Sequence, residues 1–178
     1  MSEQSYIPAP PYQPEPQPKA PEGTNTNTVW IWLVALLPLT SLLFLFALDV
    51  EGYMRSLLQN PTSPMAGYAF LFTPGYLLAM LLGWLATIAI IVFGYLDWRE
   101  LKRRGVPAPF HWAFGFLQLA GAGIVYPIGR SVVVRRRAGG SLAPMIVAIL
   151  VYVVIFIVSI IWSIVIMYQA IALVPQFS

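Results

Sequence analysis

The sequence predicts an all-α, polytopic transmembrane protein with three full spans and one further re-entrant or interfacial segment, or a fourth span in its place. Three observations carry this. Only 10% of the 178 residues are charged and 58% are hydrophobic, against about 25% charged in an ordinary soluble domain. Three apolar runs reach the roughly 20 residues that cross a bilayer as helix. The basic residues are clustered rather than dispersed, as loops that set membrane orientation are.

Residues 1–28, MSEQSYIPAPPYQPEPQPKAPEGTNTNT, are too polar and proline-rich to bury a core and are expected to be a disordered tail with polyproline II character. The PxxP spacings from Pro8 to Pro11 and Pro11 to Pro14 suit an aromatic docking groove, although a solvated tail needs no ligand. Residues 29–178 form the transmembrane domain. The first span, 29–48, starts on Trp30 and Trp32, rings that favour the membrane interface. Pro38 removes the hydrogen bond to the Val34 carbonyl and predicts a kink. A loop over 49–65 follows, with the turn signals Asn60-Pro61 and Ser63-Pro64, then an aromatic interfacial approach over 66–73.

The second span, 74–96, opens on Thr73-Pro74, an N-cap followed by proline at the first helical position. Gly75, Ala79, Gly83 and Thr87 recur every four residues along it, a small-residue ridge suited to helix–helix contact. The helix is expected to continue through DWRELKRRG, with Glu100 and Arg104 pairing four apart. Residues 110–127, FHWAFGFLQLAGAGIVYP, are of borderline spanning length. The last span, 142–172, is longer than a membrane is thick, so it tilts or projects.

Charge counting chooses between topologies. If 110–127 crosses, the basic residues divide five and five whichever way the chain starts, and no cytoplasmic excess results. If 110–127 enters and returns, with Gly121, Ala122 and Gly123 at its tip, a cytoplasmic N-terminus leaves Arg55 alone outside. The second arrangement satisfies the positive-inside rule and is the expectation here.

Chemistry is sparse. With no cysteine and a single histidine, His111, the chain lacks the ligands of a zinc site, and no cofactor or metal is expected. No acidic residue falls within the predicted spans, which disfavours proton-coupled transport. His111 stands between Phe110 and Trp112 and reads as an interfacial anchor; Ser159 and Ser163 read as packing serines. No catalytic residue is assigned, nor is nucleic-acid binding. Two basic clusters are the candidate contact sites for anionic lipid or an acidic partner: Arg99, Lys102, Arg103 and Arg104, and Arg130, Arg135, Arg136 and Arg137. Each charge near an anionic surface contributes roughly 1 kcal/mol.

Three stretches, YIPAPPYQPEPQP, LDWRELKRRGVPAPFHWAF and VYPIGRSVVVRRRAGGSLAP, resemble uncharacterised small multi-spanning membrane proteins of actinobacteria with a Pro/Gln/Tyr-rich N-terminal tail. The Trp-containing PGWYPDP-like module of some of these is missing. The resemblance implies a bacterial plasma-membrane location and carries over no activity, cofactor or site residue. The expectation is a non-enzymatic accessory or scaffold subunit with a cytoplasmic N-terminus, whose partners are the bilayer, anionic head groups, and other membrane proteins or further copies of itself. The alternative is a small homo-oligomeric channel or transporter.

Overall fold

A computed structural model describes residues 18–173 other than 48, 61 and 64. The PxxP motifs and the terminal VPQFS lie outside them. Every regular element among the described residues is helical. Two helices are long and apolar enough to cross a membrane, and counting one bent helix pair as a span brings the number to three.

Helix α1, Val29–Leu36, is capped by the Thr28 hydroxyl, which accepts from the Ile31 amide. Pro38 cannot donate to the turn before it. The chain tightens into a 3-10 segment, Leu37–Ser41, before resuming as α2, Leu42–Ala47. The expected kink is therefore a 3-10 insert rather than a simple bend.

The expected loop over 49–65 is corrected. Val50–Gln59 is a helix, α3. Asp49 caps it by accepting from the Gly52 amide at 2.9 Å, and Glu51 pairs with Arg55 one turn on at 2.7 Å. Proline signals at 61 and 64 had outweighed this short-range helix chemistry. The Val29–Leu45 stretch and α3 bend by 42° at their junction. A 3-10 segment, Ala66–Phe72, forms the aromatic approach, with Phe70 edge-on to Tyr53 of α3.

Helix α4, Pro74–Arg103, begins where the Thr73-Pro74 signal puts it. At 1.5 Å per residue its 30 residues extend about 45 Å, well beyond the hydrocarbon. Gly75 lies against the Ala47 carbonyl, where a Cβ would collide with backbone, and Ala79 is buried. The N-terminal half of the small-residue ridge thus lets α2 approach closely, while Gly83 faces open space.

Residues 110–127 do not form one helix. A 3-10 segment, Trp112–Ala120, runs from the His111 cap to Gly121, whose φ of 76° turns the chain in a conformation few residues other than glycine accept. Helix α5, Val125–Ala138, then runs back and stops at Gly139, also left-handed. Helix α6, Ala143–Leu173, completes the fold.

Contacts fix the ends of the bundle. At one end, Leu101, Val106 and Val134 form a buried cluster with Ala20 and Ala138 against it. At the other, α3 and the 66–72 segment share a pocket with Ile166 of α6. Between them Ile31, Val34, Ile90 and Tyr126 form the central core. The Gly121 turn sits beside Pro38, Thr87 and Tyr152, about 15 Å below Asp97 along α4. The segment 110–138 is therefore a hairpin that descends to mid-bundle and returns to the end it left.

Candidate functional site: a buried charge cluster beneath a basic face

Asp97 and Arg130 are the centre of the basic end. Asp97 is fully buried and Arg130 is 1% exposed. Arg130 Nε donates to Asp97 Oδ2 at 3.0 Å and Nη2 donates to Oδ1 at 3.1 Å, the two-pronged geometry that suits guanidinium to carboxylate. Arg130 Nη2 also donates to the Thr26 carbonyl at 2.6 Å. The Tyr126 hydroxyl lies 3.0 Å from Asp97 Oδ2 and 2.8 Å from the Gly94 carbonyl. The Thr28 hydroxyl donates to Asp97 Oδ1 while capping α1. The Tyr126 hydroxyl is thus placed to donate within this cluster.

The contributors come from three parts of the chain. Asp97 is on α4, Tyr126 and Arg130 lie four apart on one face of α5, and Thr26 and Thr28 precede α1. Desolvating a single charge is costly unless it is paired and hydrogen-bonded. Here the carboxylate is engaged by Thr28, Tyr126 and two guanidinium nitrogens, Nε and Nη2 of Arg130.

This revises two expectations. Arg130 was counted among the surface-contact arginines; it is turned inward, because Asp97 and the Thr26 carbonyl draw it into the bundle. The tail 1–28 was expected to be disordered throughout, yet its described part is packed. Ala20 donates its amide to the Arg137 carbonyl at 2.8 Å, Thr26 and Thr28 are buried, and Arg104 donates to the carbonyls of Asn25 and Asn27. These carbonyls complete the arginines, which is why a polar segment is held there.

The remaining basic residues surround the cluster. Arg99, Lys102, Arg103, Arg135 and Arg136 are exposed. Arg103 and Arg104 both pair with Glu100, at 2.7 and 2.8 Å. The second of these is the predicted i,i+4 pair. Arg137 donates to the carbonyls of Pro107 and Ala108, tying the end of α5 to the turn after α4. The two basic clusters, separate in sequence, thus share one end of the bundle with Lys19. Arg55 is at the opposite end, on α3. Rings edge the basic face: Lys102 sits 4.3 Å over Trp98, Trp98 lies 5.4 Å from His111, and Tyr95 lies 5.5 Å from Trp112. His111 Nδ1 accepts from the Ala113 amide, so this ring caps a segment.

Sequence reasoning missed Asp97, Tyr126 and Thr28 as members of a site. One signal was available. Asp97 follows the apolar run IAIIVFGYL, and Arg130 interrupts VYPIGRSVVV. A lone charge with apolar neighbours near a span end needs an opposite charge, and these two are complementary. Among the described residues no group of three or more His, Asp or Glu could hold a metal ion. No protein-family model, curated protein or solved structure matches this chain.

Proposed function

We propose that this chain is a non-enzymatic integral protein of a bacterial plasma membrane, an accessory or scaffold subunit whose basic face engages anionic lipid head groups and acidic partner surfaces. The observation that supports this best is the charge distribution. Both basic clusters converge on the end that also carries Lys19, and Arg55 alone stands opposite. Under the positive-inside rule the basic end, and the N-terminus with it, is cytoplasmic. Residues 110–138 are then a re-entrant hairpin whose irregular backbone is buried in protein, as such backbone must be at membrane depth. The exposed Arg99, Lys102, Arg103, Arg135 and Arg136 meet the anionic leaflet, with Trp98 and Trp112 at the interface.

Orientation is tested by single cysteines in a chain that has none. Ser63→Cys is expected to react with an impermeant maleimide on intact cells, and Ser141→Cys only after permeabilisation. The reverse pattern would sink the topology. The scaffold role is tested by extraction in a lipid-retaining polymer followed by mass spectrometry. A membrane protein recovered stoichiometrically with the native chain, and lost with Arg135→Glu/Arg136→Glu, is the expected result. A discrete homo-oligomer alone would favour the second reading, a small channel or transporter. That reading draws on the mid-bundle hairpin tip and would require solute flux in proteoliposomes.

A further inference from the structure

The middle of the bundle is open on one side, in contrast to its basic end: Thr40, Ser41, Leu78, Leu82 and Gly83 are exposed along a groove. A half-open groove of about 550 Å³ lies between α2, α4 and α6. A second of about 310 Å³ lies between the 37–41 segment, α4, the hairpin tip and α6. Both are lined by Thr40, Ser41, Gly83 and Ile155, so they adjoin. Their sizes match or approach those of small-molecule sites. The first is walled chiefly by leucines of α2 and α4, the second by Leu37, Ile90 and Ile155 together with Thr87, Gln118 and Tyr152. No lining residue of either is charged.

The hydrogen-bonding state of these groups narrows what fits. The Thr40 hydroxyl donates to the Leu37 carbonyl at 2.7 Å, and the Thr87 hydroxyl donates to the Gly83 carbonyl at 2.9 Å. Their protons are committed to the backbone, leaving lone pairs for a ligand. Gln118 Oε1 accepts from the Tyr152 hydroxyl at 3.2 Å, and its amide nitrogen has no partner among the described residues. A ligand that offers a donor to the threonine oxygens and an acceptor to the Gln118 amide is matched to this lining. A carboxylate brings a charge that nothing here neutralises, and an alkane leaves the Gln118 amide unmatched.

We propose that this groove binds an uncharged, single-chain amphiphile with a hydroxyl-bearing head group. The head lies among Thr40, Thr87 and Gln118, and the alkyl chain lies along Leu42, Leu78 and Leu82. A shallow surface depression beside Trp84 and Leu119 shares Gly83, Thr87 and Gln118 with this site, so the amphiphile reaches it from the bilayer side.

The full chain in phosphatidylcholine nanodiscs is exposed to a monoacylglycerol bearing a diazirine in its chain, and labelled peptides are mapped after photolysis. Saturable labelling of α4 near Gly83 and of α6 between Tyr152 and Ser159 is expected. Gly83→Leu enters open space and should fold while removing that labelling. Gln118→Leu should weaken competition by unlabelled monoacylglycerol about fivefold, one neutral hydrogen bond. Labelling that persists in a folded Gly83→Leu, or that covers the lipid-facing sides of α4 and α6 without saturating, would overturn the proposal. On the native chain, the methyl ester and the free fatty acid of equal chain length should compete poorly. If either competes as well as the monoacylglycerol, head-group recognition is wrong whatever the variants do.

Discussion

The basic end and the middle of this bundle face opposite demands. At the basic end, charged and polar groups from the pre-α1 segment, α4 and α5 are buried together, and Thr28, Asp97 and Arg130 each engage more than one partner. In the middle, the Thr40 and Thr87 hydroxyls satisfy themselves on nearby backbone of their own segment and leave space between elements. The difference teaches where specificity arises in a small membrane bundle. Apolar helices in lipid gain little by excluding water from one another, so their arrangement is set by close backbone approach and by polar groups that have no alternative partner. Asp97 and Arg130 are such groups, and they hold the hairpin in register with α4.

Breaking that pair is the largest perturbation available. Asp97→Asn leaves the Arg130 guanidinium buried without its counter-charge and is expected to destabilise the fold by about 3–5 kcal/mol, read as a lowered thermal midpoint in nanodiscs. The double replacement Asp97→Leu/Arg130→Met should regain much of that loss; a double variant as unstable as Asp97→Asn would show that the pair does more than neutralise itself. Tyr126→Phe keeps the ring and removes one donor to a charged acceptor, an expected loss of about 1.5–3 kcal/mol. Gly75→Ala tests the other means of association. Its methyl meets the Ala47 carbonyl, and the overpacking should cost roughly 1–3 kcal/mol, while Gly83→Ala in the open part of the same ridge should be close to neutral by the same assay. Smallest is Glu51→Gln at the far end. Its exposed pair with Arg55 is worth about 0–1 kcal/mol, so a measurable fall in midpoint would mean that α3 is packed more tightly than its exposure indicates.

Much of the architecture was legible. The start of α4 at Pro74, the irregularity at Pro38, the turn at Gly121 and the Glu100–Arg104 pair all follow from local stereochemistry. The helix α3 was hidden by downstream prolines, and α5 was not predicted, its apolar stripe being short. The candidate site was half legible. Arg99, Lys102, Arg103, Arg135 and Arg136 are exposed, whereas Arg130 was grouped with them by proximity in sequence and belongs to the interior.

By itself the sequence determined a membrane-embedded helical chain with strongly asymmetric charge, because hydropathy and helix-end chemistry act over a few neighbouring residues. Only the tertiary structure decided that Asp97 meets Arg130 across 33 positions, that residues 20–28 belong to the folded body, and that the Gly75 ridge is close-packed at one end and open at the other. The reason is physical. A buried charge specifies that it must have a partner but not which one, and that choice rests on how the hairpin returns to the end of the bundle it left.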